Sequence, residues 1–355
     1  MCHFLINYLF NTGIKVFITG GGDVDTKKAV DTSEFLILFQ REERITSMFS
    51  KLLPGYPGSR LPKTDGFGGI CDNRILVGYG RNIFEYKIKE KLWTNHFVNL
   101  HCKMDVDLGI GLDSHLEGCS INDNRLLLCW ETQVQFLQCN KMRDDSSYEL
   151  SKLKPTSSIH PGQRVRQKSA LALSSNSQNS LTSVVCLTRL PVTANGDTIT
   201  SIGQNKVMFI GSYWVFEGEV TEAGNDVTWK TLEYPKVPRR CHMAFKLKDS
   251  VYIAGGYEQH DQEFEELSSC ERYDIKTETW MECPHLLPYP LVCGSVVVNQ
   301  EETLGVIIGG FYRHEGSHVE SSHIITFSEL EGFQIVEYGK LLSPRSSCHT
   351  SIRIL

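Results

Sequence analysis

The chain has 355 residues, a formal net charge of −6, 41% hydrophobic residues and 10% aromatic residues. This acidic balance argues against a nucleic-acid-binding surface, because such surfaces are basic. No segment approaches the roughly 20 apolar residues of a membrane-spanning helix, so we expect no membrane partner. Residues 4–10 are apolar but lack a preceding Lys or Arg and a small-residue cleavage site. They are unlike a signal peptide, which favours a cytoplasmic location.

One pattern recurs along the chain, in which an apolar strand ends at a small residue and a second strand follows. Such strand pairs are predicted at residues 15–21 and 34–39, 125–130 and 133–138, 206–212 and 214–220, 251–254 and 271–275, and 305–310 and 323–327. A further apolar run at residues 74–79 is followed by Tyr86 and Trp93, which are seven residues apart. Most of the first strands end about 50 residues apart, a period typical of propeller repeats. Four strands per repeat indicate a β-propeller blade.

The most complete repeat lies at residues 238–284. Its second strand ends at Gly255-Gly256, Tyr273 and Trp280 lie on its third and fourth strands, and Pro238, Arg239 and His242 precede it. These residues resemble the kelch repeat. The glycine pair allows the backbone to bend, and the aromatic side chains can fill the wedge between adjacent blades. The resemblance implies an all-β, kelch-type β-propeller with six recognisable four-stranded blades around a central channel, and it leaves a seventh open.

The structural positions of such repeats are the glycines that end strand b and the aromatic residues of strands c and d. Here they are predicted at Gly20, Gly21, Gly78, Tyr86, Trp93, Gly255, Gly256, Tyr273, Trp280, Gly309 and Gly310.

We expect a single propeller over residues 1–355. Its blades are predicted at about residues 1–54, 60–105, 115–155, 196–235, 238–284 and 290–341, with an extra first strand at 344–355. Residues 160–192 are either an inserted hairpin or a degenerate blade. Both ends resemble a first strand, since Cys2-His3 and Cys348-His349 match Cys241-His242. Either the last segment replaces the first in the ring, or the sequence is an excerpt of a longer protein.

The motifs of enzymes and metal sites are weak in this sequence. The 12 cysteines include no C-x-x-C pair, and we expect them to be reduced packing residues. Residues 314–318 spell H-E-x-x-H, but Gly316 disfavours the helix that a zinc site of this kind needs. A loop site built from His314, His318 and His323 is a minor alternative, as is a copper oxidase resembling galactose oxidase. We therefore predict no metal, no cofactor and no enzymatic activity.

The kelch resemblance places partner-binding residues just after the glycine pairs and near the start of each first strand. The corresponding residues are Arg81, Tyr213, Arg239, Arg240, Tyr257, Phe311 and Arg345. Arginines that converge on one face would suit an acidic peptide through bidentate carboxylate contacts. The alternatives are that Arg239 and Arg345 bond to the carbonyls of a neighbouring blade, and that Tyr257 and Phe311 pack on adjacent loops.

The function that this resemblance implies is a protein-interaction scaffold that binds a partner protein or peptide through its loops. Many kelch propellers are substrate receptors of cullin-type ubiquitin ligases, and others bind actin and organise the cytoskeleton. A ligase link would need a BTB or F-box domain that residues 1–355 lack, so it could come only from a missing segment. The sequence does not separate these partners.

Overall fold

The computed structural model of the chain contains only β-strands as regular elements among the residues that it describes. These are residues 14–19, 32–41, 44–54, 66–71, 74–79, 82–87, 92–97, 116–122, 125–130, 132–139, 181–186, 188–193, 197–203, 205–260, 263–345 and 349–353. Across these ranges, no helix is long and apolar enough to cross a membrane. The predicted all-β fold is confirmed.

The strands are numbered in chain order. Those of the N-terminal half are β1 (Ile14–Thr19), β2 (Thr32–Arg41), β3 (Arg44–Pro54), β4 (Gly66–Cys71), β5 (Arg74–Tyr79), β6 (Asn82–Lys87), β7 (Leu92–Phe97), β8 (Leu116–Asn122), β9 (Arg125–Trp130), β10 (Gln133–Cys139) and β11 (Leu181–Val185). The following strands are β12 (Thr198–Gly203), β13 (Lys206–Ile210), β14 (Val215–Val220), β15 (Val227–Leu232), β16 (Met243–Leu247), β17 (Ser250–Ala254), β18 (Tyr257–His260) and β19 (Glu263–Glu266). The last are β20 (Cys270–Asp274), β21 (Thr279–Glu282), β22 (Ser295–Val298), β23 (Gly305–Ile308), β24 (Phe311–His314), β25 (Ser317–Glu320), β26 (His323–Ser328), β27 (Gly332–Lys340) and β28 (His349–Arg353).

The described strands form six four-stranded antiparallel sheets. Sheet 1 has the order β28-β1-β2-β3, sheet 2 is β4-β5-β6-β7, sheet 3 is β8-β9-β10-β11, sheet 4 is β12-β13-β14-β15, sheet 5 is β16-β17-β20-β21 and sheet 6 is β22-β23-β26-β27. The first strands of successive sheets contact one another in a cycle, in the order β28, β4, β8, β12, β16, β22 and back to β28. These first strands therefore surround the axis of a closed ring of blades.

The ring is closed by a strand from the end of the sequence. β28 pairs with β1 in antiparallel register, with Lys15 opposite Arg353 and Thr19 opposite His349. Residues 349–353 thus occupy the first position of sheet 1, which is the arrangement in which the last segment replaces the first. Closure pairs the backbone groups that an open sheet edge would expose.

The structure places residues 181–185 differently from both sequence interpretations. β11 is the fourth strand of sheet 3, where Leu181 lies opposite Cys139 and Val185 lies opposite Gln135. It is neither an inserted hairpin nor half of an extra blade, and sheet 3 does not end near residue 155. The sequence interpretation went wrong because a long segment separates β10 from β11, whereas the other fourth strands follow their third strands closely.

The hydrophobic core lies between adjacent sheets. β17 is buried along its whole length because sheets pack against both of its faces. Tyr273 and Trp280 of sheet 5 pack with Met208 and Ile210 of sheet 4, and the Trp280 indole N–H donates to the carbonyl of Glu233 at 2.7 Å. The same arrangement occurs between sheets 2 and 1, where two aromatic side chains meet a phenylalanine. There the ring centroids of Tyr86 and Trp93 lie 5.0 and 5.9 Å from that of Phe17.

Candidate functional site

Two small hairpins extend one end of the propeller. In sheets 5 and 6 the chain leaves the second strand at a glycine pair and forms an extra hairpin before it returns as the third strand. In sheet 5 this hairpin consists of β18 and β19, and in sheet 6 it consists of β24 and β25. We call the surface made by these two hairpins the hairpin face. Loops held by a rigid scaffold are common binding sites.

The glycine pairs are required by the close approach of the linkers that precede and follow the blade. Gly255 and Gly256 have φ values of 65° and 85°, in the left-handed region that favours glycine. A Cβ atom on Gly255 would lie 2.2 Å from the carbonyl oxygen of Leu291, and one on Gly256 would lie 2.5 Å from that of Arg240. Gly310 is equivalent, because its φ is 90° and its Cβ would lie 2.8 Å from the carbonyl oxygen of Val292.

Backbone hydrogen bonds fix the base of each hairpin. Arg240 and Tyr257 exchange two N–H to carbonyl bonds of 3.0 Å, and Val292 and Phe311 exchange two of 2.9 Å. The Gly256 N–H donates to the carbonyl of Leu291 at 2.8 Å, across the junction between two blades. Each hairpin is therefore anchored both to its own blade and to the linker that follows.

Glu266 connects the two hairpins. Its carboxylate accepts a 2.8 Å bond from the backbone N–H of Arg313 and lies 3.6 Å from Nε2 of His318. Because these contacts reach from β19 to both strands of the second hairpin, the two hairpins form one continuous surface.

Aromatic side chains stand at the root of this surface. Tyr257 meets Phe264 edge to face, with the ring centroids 5.1 Å apart, and Phe264 is 54% exposed. Phe311 meets His318 in the same manner at 5.2 Å. Burial raises the pKa of Tyr257 to about 12, so its phenol stays protonated near neutral pH. An exposed aromatic ring on a rigid support is typical of binding hot spots.

The first hairpin carries negative charge. Residues 257–266 include Glu258, Glu263, Glu265 and Glu266 and contain no Lys or Arg. Glu263 and Glu265 are exposed, while Glu258 is half-buried. Since neighbouring residues of a strand point to opposite faces, Glu263 and Glu265 make the face of the hairpin opposite Phe264 acidic.

The structure places Arg239 and Arg345 in the interior, which corrects their assignment to partner binding. Arg239 is 1% exposed, and its guanidinium donates to the carbonyls of Gly255 and Ser269 and to the carboxylate of Glu271, at 3.1, 2.9 and 3.0 Å. Arg345 is fully buried and donates to the carbonyl of Thr32 at 2.9 Å. These arginines bond the blade that follows each linker, so they cannot reach an external peptide.

A buried glutamate accompanies each of these arginines. Glu271 also accepts the backbone N–H groups of Lys236 and Val237, at 2.8 and 3.1 Å. Glu34 accepts the N–H of Leu342 at 3.0 Å; burial raises its pKa, and this bond and the charge of Arg345 oppose that rise. The equivalent pairs in sheets 5 and 1 hold the linkers onto their blades.

The other predicted binding residues are distributed as follows. Arg240, Tyr257 and Phe311 are half-buried at the bases of the hairpins, and Tyr213 is 58% exposed in sheet 4, in the turn that corresponds to the hairpin of sheet 5. Arg81, Gly20 and Gly21 lie outside the described residues, and Gly78 lies within β5.

The H-E-x-x-H residues form a hairpin. His314 lies opposite Ser317 and Arg313 lies opposite His318, and the turn at Glu315-Gly316 has positive φ at both residues. Since neighbouring residues of a strand point to opposite faces, His314 and His318 lie on opposite faces of the hairpin. They cannot bind one metal ion together. Among the described residues, no group of three or more His, Cys, Asp or Glu could hold a metal.

The sequence interpretation missed both hairpins, because it placed residues 314–318 in a loop and predicted no strand within residues 257–266. The available signal was Gly316, because glycine readily adopts the positive φ that a two-residue hairpin turn requires.

The matched family and solved structures agree with this geometry. The model of the kelch motif matches residues 238–287, which begin before Arg239 and include sheet 5 with its hairpin. Residues 238–287 are a kelch motif. The structure titled "Structure of YjhT" aligns with a TM-score of 0.55 and 13% sequence identity, covering 92% of this chain and 97% of that chain. At that identity the likeness shows the fold alone, a β-propeller. No curated protein matches the sequence significantly.

Proposed function

We propose that this kelch propeller is a non-enzymatic scaffold that binds a partner protein through the hairpin face. The observation that carries the proposal is the exposed Phe264 ring, supported edge to face by Tyr257 on a hairpin anchored at both ends. A rigid aromatic group loses little conformational entropy on binding, which is what an interface anchor requires. The kelch motif supports a protein partner in general.

The side chains of this surface favour a different partner from the acidic peptide that the sequence favoured. An acidic peptide would need exposed arginines, but Arg239 and Arg345 are buried in ion pairs and carbonyl contacts. Glu263 and Glu265 are exposed on the opposite face of the hairpin from Phe264. The proposed partner is therefore a protein that packs an apolar side chain on Phe264 and reaches these carboxylates with Lys or Arg around the edge of the hairpin, since complementary charge increases specificity and association rate.

Two narrower roles remain within this proposal. Substrate recognition for a ubiquitin ligase requires a cullin-linking domain from another segment or chain, and co-purification of a cullin would support it. An actin-binding role would be supported by co-sedimentation with filaments. A cytoplasmic location is also part of the proposal, and imaging of the tagged protein would test it.

Phe264→Ala tests the hairpin face. The matched control is Leu330→Ala, because Leu330 is 79% exposed in the turn between β26 and β27, at the opposite end of the propeller. Partners captured by the wild-type protein and by both variants are quantified by mass spectrometry. We expect Phe264→Ala to lower the capture of at least one partner about tenfold, a loss of about 1.4 kcal/mol, and Leu330→Ala to retain it.

Both variants must melt at the wild-type temperature for the comparison to hold, which is expected of exposed side chains. Equal capture by Phe264→Ala and the wild type would reject the hairpin face as the binding surface. If Leu330→Ala lowered partner capture more than Phe264→Ala does, the binding surface would lie at the opposite end of the propeller.

A further inference from the structure

Two cysteines lie side by side in sheet 5. The register of β20 and β21 places Glu271 opposite Glu282, and it continues to Cys270 and Cys283, where the Cys283 N–H donates to the carbonyl of Cys270 at 3.0 Å. Opposed residues of an antiparallel pair share one face, with Cα atoms about 5.5 Å apart at hydrogen-bonded positions. A disulfide bond requires a Cα separation of about 4.4–6.8 Å, and the spacing of such a pair lies within this range.

The two thiols have different chemical environments. The neighbouring Cys270 thiol, the backbone N–H of His285 and the charge of Arg272 lower the pKa of Cys283 to about 7, while burial opposes this shift. Burial, followed by the bond to Cys283, raises the pKa of Cys270 well above its ordinary value. Cys283 therefore carries the thiolate, the reactive form of a cysteine, near neutral pH.

Cys283 is 5% exposed, and a cavity adjoins it. It lines a cavity of about 250 Å³ together with Tyr252, Arg272, His285 and Glu329. The Tyr252 hydroxyl donates to Glu329 at 2.5 Å and closes one side of this cavity. Cys270 is 1% exposed and lies behind Cys283 in the core between sheets 5 and 6. The cavity has ample room for a hydroperoxide, since a water molecule occupies about 30 Å³.

We infer that Cys283 is a peroxide-reactive thiol and that Cys270 converts its oxidised form into a disulfide bond within sheet 5. The thiolate sulfur of Cys283 attacks one oxygen of hydrogen peroxide, so that an S–O bond forms and the O–O bond breaks. The departing hydroxide takes up a proton and leaves as water. Cys283 is oxidised to a sulfenic acid while the peroxide is reduced.

The second step uses the neighbouring thiol. Cys270 gives up its proton and its sulfur attacks the sulfur of Cys283, so that the S–S bond forms and the S–O bond breaks. The hydroxide released combines with that proton to form a second water. Hydrogen peroxide thus takes two electrons from the dithiol, and a cellular thiol can restore it by exchange.

A second neighbouring pair provides an internal comparison. Cys241 and Cys293 lie at equivalent positions in the linkers before sheets 5 and 6, where the Cys293 N–H donates to the carbonyl of Cys241 at 2.9 Å. A bond to Cys293 lowers the pKa of the Cys241 thiol, while burial opposes it. Neither of these two thiols lines the cavity that Cys283 lines. Oxidation without selectivity for Cys283 would modify both the Cys270–Cys283 pair and the Cys241–Cys293 pair.

The test treats the wild-type protein with one equivalent of hydrogen peroxide and maps its cysteines by differential alkylation and mass spectrometry, with and without reduction. We expect a Cys270–Cys283 disulfide as the main product. In Cys270→Ser the sulfenic acid of Cys283 should accumulate and react with dimedone. In Cys283→Ser the oxidation of Cys270 should fall at least tenfold.

The wild-type protein supplies a readout that does not depend on whether these variants fold. The rate of iodoacetamide labelling of Cys283 should rise as the pH increases through about 7. The titratable and charged groups around this thiol are Cys270, Tyr252, Arg272, Glu282, His285 and Glu329. Cys186 is the control, because burial raises its pKa to about 12. Equal labelling of Cys283 and Cys186 at pH 7, or a main product joining Cys241 to Cys293, would overturn the inference.

Discussion

Sheets 4 and 5 connect their second and third strands in two different ways. In sheet 4 the chain passes from Gly211 through Ser212 and Tyr213 to Trp214, whose carbonyl accepts the Gly211 N–H at 2.9 Å. In sheet 5 the equivalent Gly255 N–H donates to Ser269 at 3.0 Å, and the β18–β19 hairpin lies between them. Sheet 4 completes its blade without a hairpin.

The two sheets nevertheless make the same contact with the next blade. The Ser212 hydroxyl donates to the carbonyl of Arg239 at 3.1 Å, whereas the Gly256 N–H donates to the carbonyl of Leu291 at 2.8 Å. One hydrogen-bond donor, either a side-chain hydroxyl or a backbone N–H, is therefore enough at this position of the junction between two blades. The hairpin of sheet 5 is an addition that the ring does not require, and this leaves it available for binding a partner.

The largest effect is expected from Gly255→Val, which should break the junction on the side of sheet 5. A left-handed backbone at a β-branched residue costs about 1–3 kcal/mol, and the collision with the Leu291 carbonyl adds about 1–3 kcal/mol of overpacking. The free energy of unfolding should fall by up to about 6 kcal/mol, as measured by urea denaturation. Gly203→Ala is the control, since a Cβ there meets nothing within 4 Å, and an equal loss in both variants would contradict the explanation.

Arg239→Ala should have the next largest effect. It leaves Glu271, whose side chain is 4% exposed, without its charge partner in the interior. Removing one member of a buried ion pair costs about 3–5 kcal/mol. The neighbouring Arg240→Ala is the control and should change stability by less than about 0.5 kcal/mol. If Arg239→Ala kept its full stability but lost a partner, the buried role of Arg239 would be wrong.

The smallest effect on stability should follow from shortening the hairpin. Replacing residues 257–266 by Asn-Gly gives a two-residue turn between Gly256 and Leu267, which are already joined by a 2.8 Å hydrogen bond. The variant loses the two backbone bonds of Arg240, about 1–2 kcal/mol, and keeps the junction with Leu291. Partner capture should be lost, as in Phe264→Ala. Unfolding of this variant would show that sheet 5, unlike sheet 4, depends on its hairpin.

The sequence predicted the propeller because the strand pattern is local. Apolar runs such as that of β17 and aromatic residues such as Tyr273 and Trp280 recur at a fixed spacing, and the fold follows from that repetition. The burial of Arg239 could not be predicted in this way. A charged side chain enters the core only with a partner, and Glu271 becomes its partner only after the blade has formed.

The hairpin face was predicted only in part. Tyr257 and Phe311 were identified from their position after the glycine pairs, but Phe264 was not, because no repeat position corresponds to it. The contact between the hairpins through Glu266 joins segments of two blades, and single-repeat patterns contain no information about such contacts.

The pairing of β28 with β1 has a consequence for synthesis of the chain. Residues 14–19 leave the ribosome early, but their neighbour in sheet 1 is residues 349–353. At about 5–20 residues per second, the growing chain must wait on the order of tens of seconds for that strand. During this time one edge of β1 lacks its native partner strand, so the nascent protein is exposed to aggregation and depends on chaperones until residues 349–353 have emerged.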